Sequence, residues 1–258
     1  MEKVTAIIPC YNEEKNIERA IQSVKWADEI MVVDSYSTDK TLEIAKKHTS
    51  FTLQHEYENS AAQKNWAIPQ ANHPWIFLLD ADEVVTPELQ SEVKSILQKN
   101  TPHDAFWIKR QNYFMGKKLK YSWSGDKVIR LFKRDTCKYQ PLHVHAEIIT
   151  EGSISQLKNK IEHHSYEYKS LERHLKRMDI YTTWGAYDRV EKVGKVTMFH
   201  LFLKPFWRFI RHYFIQLGML DGKVGFVIAV MSSYTVFLRS LKLWRIKEGE
   251  VFTKDIRK

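Results

Sequence analysis

This sequence has no glycine-rich phosphate loop. Neither a G-x-G-x-x-G turn nor a Walker lysine loop occurs, so neither a dinucleotide cofactor nor ATP hydrolysis has support. Cysteine is scarce. Cys10 and Cys137 are the only two, too few for a disulfide framework and without metal-ligand spacing, which fits a reducing cytosol. A membrane-spanning run is also missing. The uncharged stretch 224–238, bounded by Lys223 and Arg239, has 15 residues, short of the roughly 20 that span a bilayer. It therefore reads as buried or interfacial. The N-terminus runs from Met1 straight into a strand at Val4, so no signal peptide is expected. A length of 258 residues allows one large α/β domain or a domain with an appendage.

Charge is present, and it is unevenly placed. The net charge is +9. Residues 1–165 hold 22 basic and 22 acidic side chains, whereas residues 166–258 hold 18 and 9. The whole excess lies in the last third, where aromatics also crowd. Such a tail suits a membrane surface, a nucleic acid, or the solvated face of a helical bundle.

Along the chain, apolar strand runs alternate with helical periods. Strands are predicted at 4–9, 29–34, 51–55 and 75–79, and helices at 16–26, 41–47 and 60–68. This is the pattern of a mostly parallel α/β sheet flanked by helices, with ligands bound beyond the carboxyl ends of its strands. Three strand ends carry polar turns: Tyr11–Glu14, Asp34–Asp39 and Asp80–Glu83. The last turn is the most pointed. Asp80 and Asp82 stand two apart, on one face of an extended chain. Crowded carboxylates repel unless a cation sits among them, and hard oxygen ligands suit Mg2+ or Mn2+. Thr86-Pro87-Glu88 just beyond reads as a helix start. Further on, strands are expected at 106–110, 128–132 and 143–148, and the last would put His143, His145 and Glu147 on one face.

These residues together resemble a known family. Ile8-Pro9-x-Tyr11-Asn12-Glu13-Glu14, Val33-Asp34-Ser35-x-Ser37-Thr38-Asp39, Gln63-Lys64-Asn65 and Leu79-Asp80-Ala81-Asp82-Glu83 look like successive blocks of the family 2 inverting glycosyltransferases with the Rossmann-like GT-A fold. Trp123-x-x-Asp126-x-Val128-x-Arg130-Leu131-Phe132, Val144-His145 and His163-x-Ser165-Tyr166 resemble the branch with lipopolysaccharide core β-1,4-glucosyltransferases, as does Leu217-Gly218-x-x-Asp221-Gly222-x-x-Gly225-Phe226. The resemblance implies a GT-A catalytic domain at 1–165, with a nucleotide-sugar part to about residue 100 and an acceptor part after it. It implies a UDP-hexose donor held by Pro9, Tyr11, Asn12, Glu13, Asp34, Gln63, Lys64, Asp80 and Ala81. It implies a divalent metal, Mn2+ or Mg2+, on Asp82 with Asp80 and His163. Inversion needs a base for the acceptor hydroxyl. Glu147 is assigned that role with Asp126 as the alternative, and Arg130 and His145 are expected at the acceptor or phosphate.

Residues 166–258 read as a helical, basic-aromatic extension. A polar helix is expected at 170–190. In 197–217, Phe199, Phe202, Phe206, Phe209 and Tyr213 share a broad face, and Lys204, Arg208 and Arg211 take another, with a break or the start of a new helix expected at Pro205. Such a surface, 197–247, would meet the inner face of the cytoplasmic membrane, the catalytic core or a second copy of the chain. The expected protein is a cytoplasmic, peripheral enzyme with a lipid-linked saccharide acceptor. A polyprenyl-phosphate transferase of the same fold is the alternative, and a basic nucleic-acid-binding protein is the alternative of another class. The latter is disfavoured because the tail's aromatics form helical stripes and are not interleaved among cations.

Overall fold

The structure is a computed structural model and describes residues 2–142, 146–165 and 171–253. The chain divides into two compact units. The described residues of the first are 2–112, 125–141 and 146–165, and those of the second are 113–124, 142 and 171–253.

The first unit starts with the alternation read from the sequence. Strands β1 (Val4–Cys10), β2 (Glu29–Asp34), β3 (Thr52–Gln54) and β4 (Trp75–Leu78) are linked by helices α1 (Ile17–Ser23), α2 (Thr41–Lys46) and α3 (Ser60–Ala67). After β4 come β5 (Glu83–Val85), α4 (Pro87–Gln98), β6 (Ala105–Phe114), β7 (Lys117–Lys118) and β8 (Lys127–Lys133). Then follow β9 (Lys138–Tyr139), β10 (Ile148–Ile149) and β11 (Ile154–His163). The main sheet runs β3-β2-β1-β4-β8-β6-β11-β5. The β3-β2-β1-β4 half is parallel, and β8 and β5 bring antiparallel pairings.

Strand β4 shows why the apolar runs are unbroken. Trp75 and Phe77 enter the core on one face with Ile8, Ile17, Ile21 and Leu89, while Ile76 and Leu78 enter the other with Ile7, Met31, Val33 and Phe132. Helices cover both faces, so neither face of the strand can be polar. Helix α4 starts as expected: Thr86 Oγ1 accepts from Leu89 N at 3.2 Å, with Pro87 in the first turn.

One expectation is corrected. A strand over 143–148 is not seen. Residues 143–145 lie outside the described residues, and pairing begins only at Ile148, against Tyr139 of β9. At Pro205 the helix type changes, as expected: a wide π turn at Phe199–Leu203 gives way to α6 (Lys204–Ile210), with the proline in the first turn of α6.

The second unit is helical. Helix α5 (Leu171–Tyr187), α6 and α7 (Gly222–Lys247) pack together. Lys242 on α7 is buried and donates to Asp179 Oδ1 at 2.7 Å and to Thr183 Oγ1 at 2.8 Å on α5. Among the described residues one helical stretch, Gly218–Lys247, is long and apolar enough by composition to cross a bilayer. It exceeds the 15-residue uncharged run because the helix continues past Arg239 and buries Lys242.

The 217–226 block is a packing device. A Cβ on Gly225 would lie 1.8 Å from the Gly218 carbonyl oxygen, so only glycine allows that approach. Asp221 is buried, and its carboxylate accepts from the backbone N–H of Lys120, Tyr121 and Ser122 at 3.0, 3.2 and 2.7 Å. Despite the cost of burial, these bonds hold its pKa below the ordinary value of 3.8. Asp221→Ala strands three amides and is expected to cost about 3 kcal/mol in chemical denaturation. Because the folded pKa is depressed, the wild-type contribution is fully present above about pH 4 and fades as pH falls through the folded pKa. The gap between wild type and variant should narrow accordingly in acid.

Candidate active site

The ends of β1 and β2 are fastened to one another. Asn12 takes a left-handed φ of 52°, its N–H donates to Ser37 Oγ at 2.9 Å, and its Oδ1 accepts from Thr38 N at 2.8 Å. Glu13 N donates to Thr41 Oγ1 at 2.8 Å. Asp39 accepts from Thr41 N at 2.9 Å and from Glu14 N at 3.2 Å, which ties the start of α2 to the β1 turn. Asp34 is fully buried, and both its oxygens are engaged, by Ser37 and by Gln54 Nε2 at 3.1 Å. It braces the turn from beneath. Pro9 lies within β1 beside it, paired with Val33, and Tyr11 follows in the loop.

The Gln63-Lys64-Asn65 triplet ties α3 to three different segments. Gln63 donates to Ser35 Oγ after β2. Lys64 Nζ lies 3.1 Å from Asp80 Oδ1 after β4, and it also sits over the Tyr139 ring. Asn65 exchanges two bonds with the Tyr139 backbone on β9, at 2.8 and 3.0 Å. Asn65 had been quoted only as part of a motif; its amide holds β9 in place.

The acidic turn is governed by ion pairs. Glu83 is fully buried, and its Oε1 receives Arg110 and Arg130, each at 2.8 Å. Asp80 Oδ2 meets the same two arginines, and its N–H donates to Glu83 Oε2 at 3.1 Å. Burial alone would raise the Asp80 pKa, but Arg130, Lys64 and Arg110 together hold it well below the usual carboxylate range. Arg130, expected at the acceptor or phosphate, is only 2% exposed and is committed to this cluster. Asp80 likewise has both oxygens on cations. Ala81, between the two aspartates, is buried.

Asp82 faces elsewhere. Its Oδ1 lies 3.7 Å from His163 Nε2, and its carbonyl accepts from His164 N at 2.8 Å, where β11 ends beside β5. His163 Nδ1 lies 2.7 Å from Asn112 Oδ1. The amide orientation of Asn112 is set by its other end, where Nδ2 donates to Asp126 Oδ2 at 3.1 Å, because an ionised carboxylate can only accept. His163 Nδ1 must therefore carry the proton. Burial and Arg110 push the His163 pKa down against the pull of Asp82, so the ring is neutral at pH 7. Its unprotonated Nε2 and the Asp82 carboxylate oxygen are both acceptors, a donor set that suits a divalent cation. No group of three or more potential ligands occurs among the described residues.

Asp126 closes the chain Asp82–His163–Asn112–Asp126. Arg110 Nη1 lies 3.7 Å from its Oδ2, and among the described residues Oδ1 makes no hydrogen bond or ion pair. Glu147 is exposed, and the bond it makes is through its carbonyl, to Gln140 N at 3.0 Å. His145 lies outside the described residues. Reasoning from sequence left Glu83, Arg110 and Asn112 without roles. The signal for them was a third acidic residue, Glu83, directly after Asp80-Ala81-Asp82, with arginines on two later strands.

The Glycosyl transferase family 2 profile matches residues 5–149. The chain belongs to glycosyl transferase family 2. It is a glycosyltransferase with a GT-A fold. An uncharacterized glycosyltransferase of Rickettsia typhi is 29% identical over 269 residues, covering 99% of this chain and 92% of that one. The lipopolysaccharide core biosynthesis glycosyltransferase LpsC of Rhizobium meliloti is 26% identical over 253 residues, covering 94% and 92%. Among solved structures, S. aureus TarS with UDP-GlcNAc aligns with a TM-score of 0.49 at 16% identity, covering 97% of this chain and 93% of that one.

The transferase's acidic turn yields a direct test. Arg130→Met leaves Asp80 and Glu83 short of a counter-charge and is expected to cost about 3 kcal/mol at pH 7. Asp80's depressed pKa means the lost stability is fully present above about pH 4 and fades only as pH falls below that towards the folded pKa. Thermal melts should therefore show a constant gap between wild type and variant from pH 7 to about pH 4 and a narrowing gap below it.

Proposed function

We propose that this enzyme transfers a hexose, with inversion, from a UDP-hexose donor to the saccharide of a membrane glycolipid such as the lipopolysaccharide core, glucose from UDP-glucose being the first donor to test. The observation that carries the reading is the confrontation of Asp82 Oδ1 and the His163 Nε2 lone pair at 3.7 Å, at the carboxyl end of a strand in a family 2 fold. One carboxylate oxygen and one neutral imidazole suit Mn2+, and Mg2+ through fewer protein ligands. Such an ion, when bound, offsets the charge that develops on the departing diphosphate.

The chain's own residues divide the remaining work. Asn112 fixes the His163 tautomer. The Asp80–Glu83–Arg110–Arg130 cluster fixes the turn from which Asp82 projects. Asn12, Glu13, Ser37 and Asp34 shape the rim made by β1 and β2, where the resemblance puts the nucleoside. Lys64, beside Asp80, offers positive charge to the diphosphate. For the base we favour Asp126 over Glu147. Asp126 is tied through Asn112 and Arg110 to the residues around Asp82 and has an uncommitted Oδ1, whereas Glu147 is an exposed residue outside that network.

The acceptor reading draws on the helical unit and on the printed role of LpsC. Phe202, Phe206 and Trp207 are 54–62% exposed beside Lys204, a surface suited to the inner face of the cytoplasmic membrane.

Thermal melts with UDP, GDP, CDP and dTDP, each with and without Mn2+, test the donor site. UDP with Mn2+ at a hundred times its dissociation constant should stabilise the native state by about 2.7 kcal/mol, and Asp82→Asn should abolish that gain. A gain with no nucleotide would contradict the donor reading. Asp126→Asn should keep the UDP shift and lower kcat by roughly 100-fold or more, while Glu147→Gln should remain near wild type. NMR of the product anomer checks inversion.

A further inference from the structure

The sheet of the first unit carries three lysines in one row. Lys160 of β11 pairs in register with Lys109 of β6, and Lys109 pairs in register with Lys127 of β8. Paired residues of neighbouring strands project to the same face. Strands lie about 4.8 Å apart, so the row spans roughly 10 Å. Its face is fixed by the residues next to it. Ile108 and Ile161 enter the core with Leu89 and Val93 of α4, so Lys109 and Lys160, each one residue away, take the opposite face. All three lysines are exposed.

Among the described residues none of the three makes a side-chain hydrogen bond or an ion pair. Glu162, two residues beyond Lys160 on the same face, lies 3.4 Å from His164 Nε2 instead. Lys127 Nζ stands 4.7 Å from the centroid of the Trp107 ring, two residues before Lys109 on β6, and that attraction steadies one end of the row. Like charges directly opposite one another weaken a sheet. Lysines often guard edge strands, but β8, β6 and β11 are all interior strands, so this row guards no edge. An anion lying along the row offsets the repulsion. The row also adjoins the candidate active site. Arg110 N donates to the Asp126 carbonyl at 2.9 Å, and Lys109 and Lys127 are the next residues on either side of that bond. The donor reading puts the diphosphate at Asp82 and Lys64, which leaves this row to the acceptor.

We propose that Lys160, Lys109 and Lys127 bind acidic groups, phosphate or carboxylate, carried by the acceptor saccharide, and so select an anionic acceptor. Lysine suits this task because its ammonium is a compact charge with three rotatable donors on a flexible stem, able to meet acidic groups of differing geometry. Binding there would hold the acceptor beside the strand positions that carry Asp126. The inference rests on the saccharide-acceptor reading above, but not on the donor sugar or the metal.

Calorimetric titration of the full chain tests it, with deacylated lipopolysaccharide core oligosaccharide as the probe, either intact or dephosphorylated and carboxyl-reduced. Wild type should bind the intact form at least about tenfold more tightly, the worth of one charge-assisted hydrogen bond. Lys109→Gln with Lys160→Gln should lose that preference. Lys46→Gln with Lys99→Gln, an equal change of charge at exposed lysines of α2 and the end of α4, should keep it. The UDP-dependent thermal shift should persist in both double variants, which shows that they are folded. Equal losses in the two double variants would mean diffuse attraction and overturn the lysine row, as would a wild type that binds both forms alike. A wild type that binds neither form would defeat the saccharide-acceptor reading together with the row. Phosphatidylglycerol vesicles whose binding depends on Lys109 and Lys160, with the oligosaccharide ignored, would assign the row to the membrane and overturn the proposal.

Discussion

The site depends on one buried ionic knot. Asp80 and Glu83 follow the central strand, Arg130 comes from the neighbouring β8, Arg110 from β6 beyond it and Lys64 from α3. With Asp126 3.7 Å from Arg110, three carboxylates face three cations, so the knot is close to neutral. The knot also has a geometric effect. With Asp80 and Glu83 held by arginines, the turn is fixed, and Asp82 lies beside His163 at the end of β11. The first aspartate of the Asp-x-Asp pair thus anchors the turn. Buried ion pairs are poor sources of net stability but costly to break, which makes them effective at fixing a single local arrangement.

The second layer is polar and similarly directed. Asn112 stands between an acceptor-only carboxylate and an imidazole, so one amide sets the tautomer of His163. The outcome is an unprotonated nitrogen facing an ionised oxygen at a distance too long for a hydrogen bond. His163 ends β11 and pairs in register with Asn112 of β6, and Asp126 precedes β8, so backbone pairing sets their spacing.

Much of this was legible before the fold was known. The βαβ alternation, the carboxylates after Val33 and Leu79, and the Thr86 helix start all depend on local chemistry, which sequence reports directly. What escaped has a common cause. Strand β11 carries charged and amide side chains at most positions and buries chiefly Leu157 and Ile161, so its alternation is masked, with a register irregularity between Gln156 and Lys160. Arg130 looked like a ligand-binding cation because its partners lie 47 and 50 residues away. Glu147 looked like a base because a strand over 143–148 would have lined it up with two histidines; pairing starts after it. The Gly218–Gly225 block read as a family signature, and its reason, a carbonyl pressed against a glycine, appears only in three dimensions.

The central claim is that Asp82 and His163 together hold a divalent cation beside the nucleotide. Pulsed electron paramagnetic resonance of Mn2+ bound with UDP tests this most directly, since it reads the ligands and not the turnover. The account predicts a nitrogen coupling from one imidazole together with phosphorus couplings from the diphosphate. The nitrogen signal should vanish in His163→Ala while phosphorus coupling persists in whatever Mn2+ remains bound. A Mn2+–UDP complex that shows phosphorus but no imidazole nitrogen in the wild type would contradict it, and would leave the facing pair of acceptors without a purpose.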